Sequence, residues 1–262
     1  MKKAINKFLT GGFALFVFAG ISAAAPATVY QAAGPDAASI QSAVDQFRTA
    51  LGGANNGNTP GPLAGGRREI NWDGGGSTAT SVGATPFDVF LNSRGNRSIT
   101  PGTGFVQAPA AGLADLFGNP SYATIFKAFS QSRLFSPIGS NVTDTVFFVP
   151  GGGGISAATR GFGVVFSDID LPDGSGPSAK NGNRHSSTLI EFYGVNGEVL
   201  FSSFAPASPG DGNQTFLGIV FDDARIASVR ITAGETPGTD DTDRLDAVMM
   251  DDFIYGEPQP IQ

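Results

Sequence analysis

Carboxylates are the abundant chemical resource of this chain: 23 Asp and Glu stand against 16 Lys and Arg, with one histidine and no cysteine. Hard oxygen donors of this kind suit calcium, which takes six to eight of them at about 2.3–2.6 Å. Asp168, Asp170 and Asp173 crowd together in DIDLPDG, and Asp251 and Asp252 are adjacent in DAVMMDDFIYG. The first group is not an EF-hand, because its third Asp is one place late, Pro172 intrudes, and Ala179 stands where a bidentate Glu is needed. Strand alternation would send Asp251 and Asp252 to opposite faces, so that one looks inward and requires a cation or several donors. If the strands carrying Asp168 and Asp252 are neighbours, these groups could close around one structural Ca²⁺, with Asp168, Asp170, Asp173, Asp251 and Asp252 as ligands. The plainer expectation is strand-end carboxylates that cap turns and face water. Asp240, Asp241, Asp243 and Asp246 form a second acidic group in a Thr/Gly-rich loop, where a solvated loop with Arg244 offsetting the repulsion is the simpler reading.

Other chemistries fare poorly. His185, in KNGNRHSS, is the lone histidine, and no G-x-S-x-G elbow precedes it. Thiol nucleophiles, thiolate metal sites and histidine-rich zinc sites are excluded by composition. The glycine runs 74–76 and 151–154 lack the G-x-x-x-x-G-K-[ST] pattern and read as turns. Two-carboxylate glycoside chemistry needs neither His nor Cys, and Glu69, Asp88 and Glu191 lie on expected strands, but no spacing shows a pair facing one cleft. The expectation is therefore a non-enzymatic protein, with a carbohydrate-active hydrolase or lyase as the alternative. Sugar binding would use aromatics beside carboxylates and amides. Trp72, between Asn71 and Asp73, and Tyr193, near Asn196, are the candidates, against the simpler reading of Trp72 as a core anchor and Tyr193 as hairpin packing.

The elements that must position these residues are mostly strands. With 37 Gly, 17 Pro and 22 Phe and only 15% charged residues, the composition suits many short strands joined by tight turns. Residues 161–169 (GFGVVFSDI) alternate, with Phe162, Val164 and Phe166 on one face and Val165 on the other. Residues 188–193 and 199–204 flank an Asn-Gly turn and predict a hairpin. Residues 215–221, 226–233 and 247–255 continue the series. In the front half 69–72, 87–90, 104–107, 134–136 and 146–149 are shorter candidates, with 55–66 and 73–83 as loops. Ile40, Val44, Phe47 and Leu51 form one apolar stripe of a helix over 36–51, with Asp36 as N-cap and Gly52-Gly53 as its stop. A second short helix is predicted over 120–129. The reading is an all-β, antiparallel β-sandwich of jelly-roll type, with one or two short helices in its N-terminal half.

Where the protein works is set by its first residues. Lys2, Lys3 and Lys7 precede an apolar run over 13–21 and then Ser22, Ala23 and Ala24, which is the pattern of a secretory signal peptide over 1–24. Cleavage before Thr28 fits equally. A single domain over 25–262 is expected, secreted or periplasmic, with no stable membrane anchor. Removing three lysines from the 16 Lys+Arg, and none of the 23 Asp+Glu, moves the net charge from −7 to −10. Such a surface repels phosphate backbones, so nucleic acid is excluded as a partner.

The order GFGVVFSDID, STLIEFYGVNGEVLFS, FLGIVFDDARIASVRITAG and DAVMMDDFIYGEP, over residues 160–258, resembles a jelly-roll module of exported bacterial proteins, including sorting-tag proteins that end in a PEP motif. The chain departs from that pattern after Glu257-Pro258, where no apolar anchor or basic tail follows. Lectins and carbohydrate-binding modules are related sandwiches, so the resemblance implies a β-sandwich with a structural calcium and, as partner, an extracellular polysaccharide or cell-surface glycan.

Overall fold

The computed structural model describes residues 26–170, 186–239, 241 and 245–261. The expected leader, Asp173, His185, Asp240, Asp243 and Arg244 lie outside the described residues. Among the described residues no helix is long and apolar enough to cross a membrane.

Two antiparallel sheets pack face to face. The first contains β1 (Thr28–Gly34), β2 (Arg67–Ile70), β3 (Ser81–Ala84), β5 (Gly104–Ala108), β6 (Leu134–Ile138), β9 (Gly161–Ser167), β12 (Gln214–Val220) and β14 (Met249–Gly256). Its order is β1-β12-β9-β14-β6-β5-β3, with β2 also paired to β14. The second contains β4 (Asn96–Ile99), β7 (Val142–Phe148), β8 (Ser156–Ala158), β10 (Leu189–Tyr193), β11 (Val199–Phe204), β13 (Ser228–Thr232) and β15 (Gln259–Pro260). Its order is β11-β10-β13-β7-β8-β15, with β4 beside β7. Each sheet therefore mixes front-half and back-half strands. The predicted hairpin is present as β10-β11, closed by Gly197 at φ +79.

The alternation along β9 separates two cores. Phe162, Val164 and Phe166 enter the layer between the sheets with Phe192, Ile231 and Phe253. Val165 faces the other way, into a cluster with Ile40, Val44 and Phe47 of α1 (Ala37–Ala50). Asp36 caps this helix, accepting from Ser39 N at 2.9 Å, as the sequence predicts. Phe47 reaches the sheet because β12 and β9 meet there at Gly218 and Gly163, which are paired in register. A Cβ at 218 would fall 2.8 Å from Phe47 Cδ2. Gly218→Ala is accordingly expected to cost about 1–3 kcal/mol in urea denaturation, the range for overpacking a filled core.

A third cluster covers the other end of the same sheet face. Here α3 (Ala110–Phe117) and α4 (Tyr122–Ile125) pack Leu113, Tyr122 and Ile125 onto Val106, Leu134 and Met249. The helix predicted over 120–129 is reduced to α4, because Phe126 leaves helical geometry at φ −100, ψ 139. The strand expected at 87–90 is also replaced: Phe87 makes one isolated bridge to Ser98, and α2 (Leu91–Arg94) follows. With helices over its back, the central strands β9, β12 and β14 of the first sheet are buried on both faces, whereas the outer face of the second remains open.

Candidate functional site

The structure distributes the chemistry-bearing residues over three places. At one end of the sandwich, the chain leaves β9 at Asp168, which sits at φ +72 in the left-handed region and is 1% exposed. Asn and Asp tolerate that region better than other non-glycine residues. Gly212 N donates to Asp168 Oδ1 at 3.1 Å, and Gly210 N donates to Asp170 Oδ1 at 2.7 Å. Asp241 accepts from Ala247 N at 3.1 Å, and Asp246 accepts from the Ser187 hydroxyl. Burial, then the charges of Asp170, Asp241 and Asp246, push the Asp168 carboxyl up to about 8. Burial also raises Asp241, with Asp170 and Asp211 adding to it. The solvated-loop expectation is corrected for Asp246, which is 1% exposed and faces this group from the last connection before β14.

Asp251 and Asp252 occupy a different place. Met249 opposes Ser167 and Phe253 opposes Val164, so Asp252 lies about three residues, roughly 10 Å, along the strand pair from Asp168. The strands are neighbours, as the calcium expectation required, but the two carboxylates do not share a centre. Nor do Asp251 and Asp252 point to opposite faces. A register shift between Met250 and Phe253 adds a residue and turns both toward Ser130, whose hydroxyl is 2.6 Å from Asp252 Oδ1 and 3.5 Å from Asp251 Oδ1. Phe129 N also donates to Asp251 Oδ2 at 2.6 Å. Burial, then the charge of Asp252, holds Asp251 well above the usual carboxylate range. Burial pushes Asp252 up to about 6 against the hydrogen bond from Ser130.

Beside this pair opens a pocket of about 320 Å³ lined by Arg48, Asn55, Glu69, Asn71, Arg94, Ser130 and Asp252. Arg48 Nη2 lies 3.2 Å from Glu69 Oε2 and 3.6 Å from Asp252 Oδ2, so one guanidinium separates the two carboxylates. Arg67 Nε also donates to Glu69 at 2.5 Å. Trp72, next to this region in sequence, is fully buried. Its indole stacks on Phe135 at 3.7 Å between ring centroids, meets Phe253 edge-on at 4.9 Å, and donates to Asp251 O at 2.9 Å. It is a core anchor that ties the sandwich interior to the bulge, and its ring is not presented to a ligand.

The third place is the open face of the second sheet. Glu191, Arg230 and Asp144 line up across β10, β13 and β7. Arg230 grips Asp144 bidentately, Nε to Oδ1 at 2.7 Å and Nη2 to Oδ2 at 2.8 Å. Half-buried Tyr193 stands one register step along from this row, opposite Ser228. Burial, then the nearby Glu191 charge, raises its phenol above the ordinary value. A depression of about 390 Å³ is lined here by Ile99, Asp144, Val146, Tyr193, Gly197, Ser228 and Arg230. The strand SVRIT carries a lone charge on the polar phase of an alternating strand, a signal from which Arg230 was readable; VTDTVFF shows no such phase, since Asp144 shares its face with Val142 and Val146. No comparable signal marked Arg48, Arg94 or Ser130.

Fold and sites together define an antiparallel β-sandwich with one helix-covered sheet, one open sheet and polar pockets on both sides. In comparison with known proteins, the chain matches no family model, no curated protein and no solved structure. Among the described residues no group of three or more His, Cys, Asp or Glu has metal-binding geometry.

Proposed function

We propose that this is an exported, non-enzymatic binding protein whose open sheet face docks an extracellular polysaccharide or cell-surface glycan. The observation that carries this reading is Tyr193 beside the Arg230–Asp144 pair in one surface depression. A pyranose ring combines an apolar C–H face with a rim of hydroxyls. A phenol ring offers a rigid apolar surface with a polar tip, and a bidentate ion pair holds donors and acceptors in fixed positions for that rim. Val146 and Ile99 extend the apolar floor. Calcium enters the same reading at the Asp168 end, where the charges of Asp170 and Asp241 act on Asp168 and a cation drawing these carboxylates together would relieve their repulsion.

The rival reading, a carboxylate hydrolase, has the Glu69 and Asp252 pair in its favour. Against it, Glu69 is clamped by Arg48 and Arg67, which holds it as an ion-pair partner. The test is titration of soluble neutral glycans into the protein by calorimetry. Tyr193→Ala and Arg230→Ala are each expected to weaken binding at least about tenfold, or about 1.4 kcal/mol, with the thermal midpoint nearly unchanged. Equal binding by Tyr193→Ala and the parent would overturn the assignment of this face.

A further inference from the structure

The pocket beside the Asp251–Asp252 bulge holds one arginine that the fold leaves unsatisfied. Arg48, on one wall, is spent on Glu69 and Asp45. Arg94, on another, has Nε and Nη1 buried without a hydrogen-bond partner. Arg68, whose charge also acts on Arg94, is neutralised by Glu257 at 2.6 Å. Arg94 is a third guanidinium in this pocket and makes no ion pair among the described residues, whereas Arg48 pairs with Glu69 and Asp252 and Arg67 with Glu69; it feels the Glu69 charge across the cavity. Leaving buried donors unmade costs free energy, and folded proteins tolerate it chiefly where a function uses it.

The remaining walls say what accompanies the anion. Asp252 and Glu69 provide fixed acceptors, Asn55 and Asn71 provide amides, and Ser130 provides a hydroxyl. At about 320 Å³ the space is at the small end of ligand cavities. A guanidinium fork matches a carboxylate in plane and spacing, while neutralised carboxylates and amides match hydroxyl groups. We infer that this pocket binds a carboxylate-bearing monosaccharide, a hexuronate, with Arg94 clamping its carboxylate and Glu69, Asp252 and the asparagines taking its hydroxyls. Nε and Nη1 are buried and make no hydrogen bond, so a turn of the side chain that brings its fork to a ligand breaks none there. Inorganic phosphate, as HPO4²⁻, would face Glu69 and Asp252 with a single hydroxyl to offer them, against several on a hexuronate. The site is separate from the Tyr193 face and does not depend on it.

The experiment is calorimetric or ligand-observed NMR titration of the full chain with glucuronate, galacturonate, the parent neutral hexoses and inorganic phosphate, all at millimolar concentrations. A uronate is expected to bind at least about tenfold more tightly than its neutral hexose and than phosphate. Arg94→Gln should abolish that preference without lowering the thermal midpoint, because it removes an unpartnered cation. Arg94→Lys, which keeps the charge and loses the fork, should lose at least about tenfold in affinity. Tyr193→Ala should leave uronate binding unchanged, which separates failure of this site from failure of the open face. Absence of uronate binding, equal binding of neutral hexose or phosphate, or full retention in Arg94→Gln would each overturn the inference.

Discussion

In calcium-free buffer above pH 8, Asp168→Asn is expected to be more stable than the parent by roughly 3–5 kcal/mol, given about 1.4 kcal/mol for each tenfold change in proton affinity. The sign follows from where the proton is held more tightly. Burial and the charges of Asp170, Asp241 and Asp246 raise the folded carboxyl to about 8 from 3.8, so the folded chain binds the proton better than the unfolded one. The resulting stability is fully present below about pH 4 and is lost as pH rises through about 8. Asn removes the ionisable group while keeping an oxygen for Gly212 N, and it accepts the φ of +72 at this position. Thermal unfolding in EDTA between about pH 5 and pH 9 checks this, since the parent midpoint should fall across the range and the variant's should fall less. On the calcium proposal the ion narrows this gap: binding the ionised carboxylate in the native state alone would add about 2.7 kcal/mol to the parent at a hundred times its dissociation constant. An Asp168→Asn chain that is no more stable than the parent in EDTA would remove the proton penalty, and with it the electrostatic reason for an ion.

Legibility in the sequence followed local periodicity. The stripe Ile40, Val44, Phe47 and Leu51 and the cap at Asp36 need only the residues of one helix, and the Asn-Gly hairpin needs only its own turn. Gly163 and Gly218 read as ordinary strand glycines, although their meaning lies in a helix from another part of the chain that needs their missing side chains. The front-half strands were indistinct because Gly104–Ala108 and Leu134–Ile138 are buried on both faces and do not alternate. The acidic groups misled for a related reason: strict alternation was applied across Asp251 and Asp252, where the register shift puts both on the helix-covered side. The partners that define the pocket, Arg48, Arg94 and Ser130, come from α1, α2 and the 127–133 segment, and only tertiary packing brings these three to Asp252.

Glu257→Gln is expected to destabilise the protein by about 3–5 kcal/mol, because it leaves a buried guanidinium without its counter-charge. Arg68 and Glu257 are 0% and 1% exposed at their side chains, and they meet bidentately, Nε to Oε2 at 2.6 Å and Nη2 to Oε1 at 2.7 Å. Both also hold the loop that precedes β2. Arg68 Nη1 donates to Gly57 O at 2.8 Å and Thr59 O at 2.7 Å, while Glu257 accepts from Asn56 Nδ2 at 2.8 Å and Leu63 N at 3.2 Å. The double replacement Arg68→Met with Glu257→Leu removes both charges and should cost less than either single change, with a residual of about 1–3 kcal/mol from the loop groups left unpaired. Urea denaturation of the four proteins closes a double-mutant cycle, and additive losses would deny that the pair acts as a unit. The same loop carries Asn55, a wall of the Arg94 pocket. Glu257→Gln should therefore weaken uronate binding even at temperatures where the chain stays folded.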